Sequence, residues 1–204
     1  MGIHLPRVPG APSAARLASL LPPALAARER VALEPSGRDA GVLLVLYDVG
    51  AVGHVVLTKR SDLVAHHKGE VSLPGGRFEP DDIDLLGAAL RETEEEIAIP
   101  RSRLDVLGPL DDVHTIASGF TVSPWVAHHP GGPPAMTPED AEIARIMDVP
   151  LADVLAADLL IPARPDIATL RYSLLGEDVW GLTARILRTF SEVVHRLAPA
   201  GERG

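Results

Sequence analysis

Three glutamates in one short acidic stretch, Glu92, Glu95 and Glu96, have the spacing best suited to chemistry in this chain. On a helix turning about 100° per residue they stand at i, i+3 and i+4 and share a face. Like charges at those spacings repel and weaken the helix unless something neutralises them. A solvated acidic face leaves the repulsion to water. A divalent cation that prefers oxygen donors, Mg2+ or Mn2+, removes it. Two neighbours favour the metal. Arg91 lies about 40° around the helix from Glu95 and can orient that carboxylate. Upstream, Leu73-Pro74-Gly75-Gly76 makes a turn whose main chain can come close to a metal or a phosphate.

Lys59, Arg60 and Lys68, with His66 and His67 beside them, form a cationic stretch that includes a single acid, Asp62. Leading into the glycine turn, such a stretch suits phosphate. Arg60 and Lys68 are therefore substrate-binding candidates together with Gly75 and Gly76, against the plainer reading of surface charges on a strand end and loop. His114, His128 and His129 read as ordinary loop residues, because a histidine metal pair would need companions not found in the sequence. Trp125 and Trp180 read first as core or interface aromatics, with adenine stacking as the lesser alternative.

The chain of 204 residues suits one domain, expected over 13–198 between a loose Pro/Gly-rich segment, 1–12, and a tail, 199–204. No cysteine is present, which excludes disulfides, thiolate metal sites and a cysteine nucleophile. No apolar run reaches the roughly 18 residues of a membrane span, and the N-terminus does not read as a secretion signal, so the expected location is cytoplasmic with no membrane partner. A formal charge of −9 argues against nucleic acid as a partner. A homodimer is compatible with all of this.

These side chains need elements to position them. Residues 41–47 and 54–58 are β-rich and read as an antiparallel pair joined through 48–53. Ala14–Ala27 reads as an apolar helix interrupted by Pro22-Pro23, covering a sheet or a partner subunit. Residues 59–69 read as a loop and 70–73 as a short strand. The acidic helix is expected over 83–97, with Asp81 or Asp82 as its N-cap, Pro100 beyond its end, and Leu86, Leu90, Thr93 and Ile97 as its buried stripe. Strands are expected at 104–113, 120–128, 143–149, 159–162 and 169–175, with a short helix over 151–156. An amphipathic helix over 180–197 has Leu182, Ile186, Phe190, Val193 and Val194 on one side. The mixed order implies α+β or an α/β/α sandwich.

Gly76, Asp82 and the run Arg91-Glu92-Thr93-Glu94-Glu95-Glu96-Ile97-Ala98-Ile99 resemble the box of the Nudix hydrolases. Asp82 replaces the usual glutamate, eight residues rather than seven separate it from Arg91, and Ala98 replaces a glycine. The longer spacing resembles the coenzyme A pyrophosphatase branch. Its upstream signature is similar to Val56-Leu57-Thr58-Lys59-Arg60-Ser61, Gly69 and Leu73-Pro74-Gly75-Gly76, with Ala65 in place of an arginine and Leu73 in place of a phenylalanine. Leu110-Asp-Asp-Val-His-Thr115, Gly119-Phe-Thr-Val-Ser-Pro124, Val149-Pro-Leu151 and Trp180-Gly-Leu-Thr-Ala184 also look like that branch.

The resemblance implies a Nudix-type α/β/α sandwich with a mixed sheet and a loop–helix–loop metal site. It implies Mg2+ or Mn2+ on Glu92, Glu95 and Glu96 with the Gly76 carbonyl, and Arg91 and Glu95 in the catalytic machinery. It implies a general base either on a box glutamate or on a later loop, where Glu142, after the Pro/Gly-rich loop 128–138, is the candidate against its plain reading as a surface acid. The implied substrate is a small nucleotide, with coenzyme A or acyl-coenzyme A cleaved to 3′,5′-ADP and a 4′-phosphopantetheine. ADP-ribose, NADH, dinucleoside polyphosphates or nucleoside triphosphates, and a non-catalytic binding domain, stay open as alternatives.

Overall fold

The computed structural model describes residues 10–61, 69–115, 119–138, 142–156 and 171–197. Val42 to Leu46 are all aliphatic and leave no wet face, Tyr47 donates its hydroxyl to Asp148 (2.5 Å), and β1 (Asp39–Val49) is accordingly buried on both sides, as a central strand should be. It pairs antiparallel with β2 (Val52–Arg60), Leu46 opposite Val55, as expected from the sequence. Further strands follow in chain order: β3 (Val71–Ser72), β4 (Gly75–Arg77), β5 (Asp105–Pro109), β6 (Val113–His114), β7 (Thr121–His128) and β8 (Ile143–Pro150). Together they make one mixed sheet of order β3-β2-β1-β7-β5, with β4 on β1, β6 on β7 and β8 on β2. The β1–β7 pair is its parallel element.

Period-2 alternation in β1 sorts the core into two layers. Leu43, Val45 and Tyr47 pack with Ala89 and Ile97 of α2 (Leu85–Ile97). Leu44 and Leu46 face the other way, towards Leu17, Leu21 and Leu25 of α1 (Ala14–Ala27) and Ile186, Leu187 and Phe190 of α4 (Gly181–Leu197). The short α3 (Leu151–Ala156) joins that second layer. The result is the expected α+β sandwich with helices on both faces of a mixed sheet. No helix among the described residues is long and apolar enough to cross a membrane.

Several expectations need correction. The helix α1 runs unbroken through Pro22 and Pro23, although each proline removes an intrahelical donor. Burial of Leu17, Leu21 and Leu25 offsets that loss, and the helix start is fixed twice. Ser13 Oγ accepts from Arg16 N (3.2 Å), and the Asp48 carboxylate, at the end of β1, accepts from Ala14 N (2.6 Å) and Ala15 N (2.9 Å). So α1 covers the sheet of its own chain.

The acidic helix begins at Leu85, and its cap is Asp84, which accepts from Gly87 N at 2.8 Å, not Asp81 or Asp82. Its buried face is also rotated from the expected stripe: Ala88, Ala89, Thr93, Glu96 and Ile97 are buried, while Leu86 and Leu90 are half-buried. Segment 104–113 splits into β5 and β6. The register slips after Val106, and Asp111 and Asp112 turn away to hold the N-terminal connection. There Arg28 pairs with Asp111 (2.9 Å), Arg30 pairs with Asp112, and Val31 N and Leu33 N donate to the same two carboxylates (2.9 and 3.0 Å).

A hairpin of β9 (Arg171–Leu174) and β10 (Glu177–Trp180) was not expected. Its turn places Leu175 at φ 51° and Gly176 at φ 81°, a two-residue turn with both φ positive, usually announced by Asn-Gly. Trp180 ends β10 on the surface and is not a core residue. His114 and His128 are strand residues, and His128 is buried, which holds its imidazole pKa below the usual value. The expected strand at 159–162, the residues Asp62, Ala65, His66, His67 and Lys68, and the segments 1–9 and 199–204 lie outside the described residues.

Candidate active site

Three glycines bring helix, strand and turn into contact. A Cβ on Gly41 would overlap the Leu85 carbonyl oxygen and sit 2.9 Å from Ala89 N, so α2 lies directly on the β1 main chain. Gly75 and Gly76 pair with Val42 and Gly41 in the β1–β4 ladder. Gly75 has φ 140° and no room for a Cβ, which would lie 2.6 Å from Val42 Cα. A Cβ on Gly76 would run into the Glu92 carboxylate, 2.7 Å from Oε2. The glycine turn and the acidic helix are thus one unit.

Arg91 is the hub of that unit. It grips Asp82 side-on, Nε to Oδ1 and Nη2 to Oδ2, both at 3.0 Å. The same guanidinium donates to Glu92 Oε1 (3.0 Å), Glu95 Oε2 (3.0 Å) and the Arg77 carbonyl (3.1 Å). The expected orientation of Glu95 by Arg91 is present. The stronger partner is Asp82, whose carboxylate also accepts from Glu79 N (2.9 Å). A side-on pair of this kind fixes geometry as well as energy. Arg91 holds the Asp82 carboxyl below the usual carboxylate range. Asp82 therefore anchors Arg91 instead of capping the helix as the sequence suggested, and its place in the box spacing was the available signal.

The three box glutamates differ in surroundings. Glu96 is buried, 6% exposed, and its Oε2 accepts from Gly75 N at 3.0 Å. Glu92 is half-buried, and burial pushes its carboxyl above the usual range against the pull of Arg91, with Glu95 and Glu79 adding to the rise. Glu95 is the most open of the three, its side chain 58% exposed. Among the described residues no three acidic or imidazole groups converge closely enough to form a ready-made metal cluster. In kind, the donors fit a hard cation: carboxylates only, one of them half-buried with its charge incompletely offset, beside a turn with no side chain in the way. Each already has a partner, Arg91 for Glu92 and Glu95 and the Gly75 N–H for Glu96.

The cationic stretch is not one patch. Lys59 Nζ reaches both oxygens of Glu177 on β10 (2.9 and 2.9 Å), where Arg145 joins it at 3.0 Å. Its neighbour Arg60 is ion-paired instead with Glu142, just before β8. Successive strand residues point to opposite faces, so the grouping of Lys59 with Arg60 fails for a geometric reason. The two residues given separate roles, Arg60 for phosphate and Glu142 as base, are brought together. Lys68 lies outside the described residues. Trp125 packs beside α2 with Leu90, and the Arg30 guanidinium lies 5.7 Å from its ring centroid. Leu73 is buried in the α1–α4 layer.

A family model described as the NUDIX domain matches residues 37–170. A Yersinia pestis (strain Pestoides F) protein described as an uncharacterized Nudix hydrolase, NudL, is 38% identical over 145 residues, covering 69% of this chain and 72% of that protein. Among solved structures, the M. smegmatis Nudix hydrolase RenU superposes with a TM-score of 0.54 at 23% identity, over 79% of this chain and 88% of its own. A Nudix hydrolase from Nitrosomonas europaea gives 0.53 at 18%, over 83% and 77%. At those identities the structures speak for the fold alone.

Proposed function

This chain belongs to the Nudix family, and on that premise we propose that it hydrolyses the diphosphate of coenzyme A or acyl-coenzyme A to 3′,5′-ADP and the (acyl-)4′-phosphopantetheine. The observation that carries the reading is the Arg91 hub, which locks Asp82, Glu92, Glu95 and the main chain of Arg77 into one unit against the glycine turn. Non-catalytic domains of this family usually show damaged box carboxylates, and this chain keeps Glu92, Glu95 and Glu96. The coenzyme A assignment is supported by the Val56 to Ser61 and Leu73 to Gly76 signatures. The exchange of phenylalanine for Leu73 changes volume in the core, where a substrate does not reach.

In this reading Glu92, Glu95 and Glu96, with the Gly76 carbonyl, hold Mg2+ or Mn2+. When bound, the cation polarises the diphosphate oxygens and lowers the pKa of an attacking water. The protein groups do the positioning. Arg91 fixes Glu92 and Glu95, and the Gly75 N–H fixes Glu96. Arg60 and Lys68 contact phosphate, and Gly75 and Gly76 let the diphosphate approach the main chain. Activation of the water needs a carboxylate that can accept a proton, and Glu95, the most exposed of the three, and Glu142 are the candidates. Water oxygen bonds to one phosphorus as the bridging P–O bond breaks, so each product leaves with one phosphate.

The test is turnover of a panel of coenzyme A, acyl-coenzyme A, dephospho-coenzyme A, ADP-ribose, NADH and nucleoside triphosphates with Mg2+ or Mn2+, against a chelator control. Coenzyme A with the highest kcat/KM supports the reading. Faster cleavage of ADP-ribose or NADH removes the coenzyme A part and leaves a Nudix hydrolase of another nucleoside diphosphate derivative.

A further inference from the structure

We propose that Glu142 is a resident counter-ion of Arg60 that substrate phosphate must displace, and that it thereby sets the affinity for the anion. This rests on Arg60 being the phosphate contact in the function proposed above.

Main-chain geometry, not side-chain reach alone, sets the pairing. Ser61 N donates to Glu142 O at 2.6 Å. The β2–β8 register shifts between Lys59 and Arg60, so that Lys59 opposes Arg145 while Arg60 opposes Ile143 and Ala144 is left over. That bulge sets Arg60 beside the turn carrying Glu142, on a different course from Lys59. The contact itself is incomplete. Glu142 engages Nη2, while Nε of Arg60 is buried with no acceptor among the described residues. A guanidinium prefers side-on pairing through two donors at once, and a buried donor left unmade is costly. A phosphate group, with several oxygens and up to two charges, can engage more than one donor of the guanidinium where Glu142 engages one.

The pair is also weak enough to yield. Side-chain exposures of 25% for Arg60 and 49% for Glu142 put it among solvent-screened ion pairs, whose upper end corresponds to about a fivefold equilibrium effect. Lys59, held by both oxygens of Glu177, offers no comparable opening.

The experiment is a double-mutant cycle on ADP binding to the full chain in the presence of chelator, measured calorimetrically for the wild type, Glu142→Gln, Arg60→Gln and the double variant. Both substitutions keep the Ser61–Glu142 main-chain bond, and circular dichroism checks each fold. Glu142→Gln should tighten ADP binding about two- to fivefold. In the Arg60→Gln background the same change should have no effect. In steady-state turnover Glu142→Gln should lower KM, whatever becomes of kcat. The proposal is overturned by an unchanged dissociation constant, by equal tightening in both backgrounds (a long-range charge effect), or by ADP failing to bind. A collapse of kcat with unchanged ADP affinity overturns it in favour of Glu142 as general base. Coupling that persists in a protein inactive on the whole diphosphate panel upholds this inference and rejects the function. Turnover without coupling does the reverse.

Discussion

Replacing Asp82 with asparagine should loosen the Arg91 hub without changing its shape. The Asp82 side chain is 5% exposed and that of Arg91 17%, and two 3.0 Å hydrogen bonds join them. Asparagine keeps one acceptor and turns an amide N–H₂ towards the guanidinium. The loss is at least one charge-assisted hydrogen bond, about 1.5–3 kcal/mol. For a chain of this size that corresponds to a fall of about 3–12 °C in melting temperature. The remaining bonds to Glu92, Glu95 and Arg77 should keep Arg91 nearby, so kcat should fall less than for a metal-ligand substitution.

A pH series of urea unfolding isolates the charge. Arg91 lowers the folded-state pKa of Asp82 below the ordinary 3.8. A lowered carboxylate pKa contributes stability fully above the unfolded value, and that stability is lost as pH falls through the folded value. The gap between wild type and variant should therefore be flat from neutral pH down to about 5 and close progressively below it. Equal stabilities at pH 7, or a gap that closes well above pH 5, would refute the assignment of Asp82 as the charged anchor of Arg91.

Glu95→Gln and Glu96→Gln should each nearly abolish turnover at saturating Mg2+ while melting temperatures hold. Glu94→Gln, on an exposed pair with Arg101, should be mild, and wild-type kcat in either of the first two would remove the metal assignment. Burial raises the Glu92 carboxyl pKa above the ordinary 4.5, so its charge opposes folding above the folded value and the opposition vanishes below the unfolded one. Metal-free Glu92→Gln should thus match or exceed wild-type stability at pH 7 and show no gain at pH 4, and Mg2+ should raise the melting temperature of the wild type but not of the variant. Ala98 caps α2 at φ 59°, where a side chain costs about 1 kcal/mol relative to glycine. Ala98→Gly should accordingly stabilise by about 0.5–1 kcal/mol in denaturant titration, and a loss would contradict the cap. Gly41→Ala should fail to fold or lose more than about 3 kcal/mol, because the methyl meets the Leu85 carbonyl and not a side chain that can turn away.

What sequence revealed was what local rules control. The apolar run of β1, the β1–β2 pairing and the buried side of α4 each follow from residue type and periodicity, and the box spacing pointed to the helix that bears the glutamates. What it missed came from partners far along the chain. Asp82 looks like a helix cap until Arg91 is seen to claim it, which leaves Asp84 as the cap. Leu86 and Leu90 outrank Ala89 on hydrophobicity, yet Ala89 is the buried residue because Gly41 draws the helix main chain onto the sheet. The Lys59-Arg60 pair reads as one patch in one dimension and divides between Glu177 and Glu142 in three. Asp111 and Asp112 carried no obvious role until Arg28 and Arg30 arrived beside them.

The cap that Asp48 provides to α1 also bears on the order of folding. An ordinary helix carries its N-cap a residue or so before its first turn, and α1 has one in Ser13, but Asp48 comes from the end of a strand 34 residues further on. The Arg30–Leu110 bond closes a longer loop still, 80 residues. Until β1 and the β5–β6 segment are in place, α1 has two helix-opposing prolines and lacks part of its cap. Its ordering therefore waits on contacts of high sequence separation, which form late because loop closure must come first. The same dependence makes α1 a natural unit of partial unfolding. Its amides should exchange with solvent by an opening that leaves the β1–β2 hairpin protected, and Asp48→Asn should speed that exchange selectively.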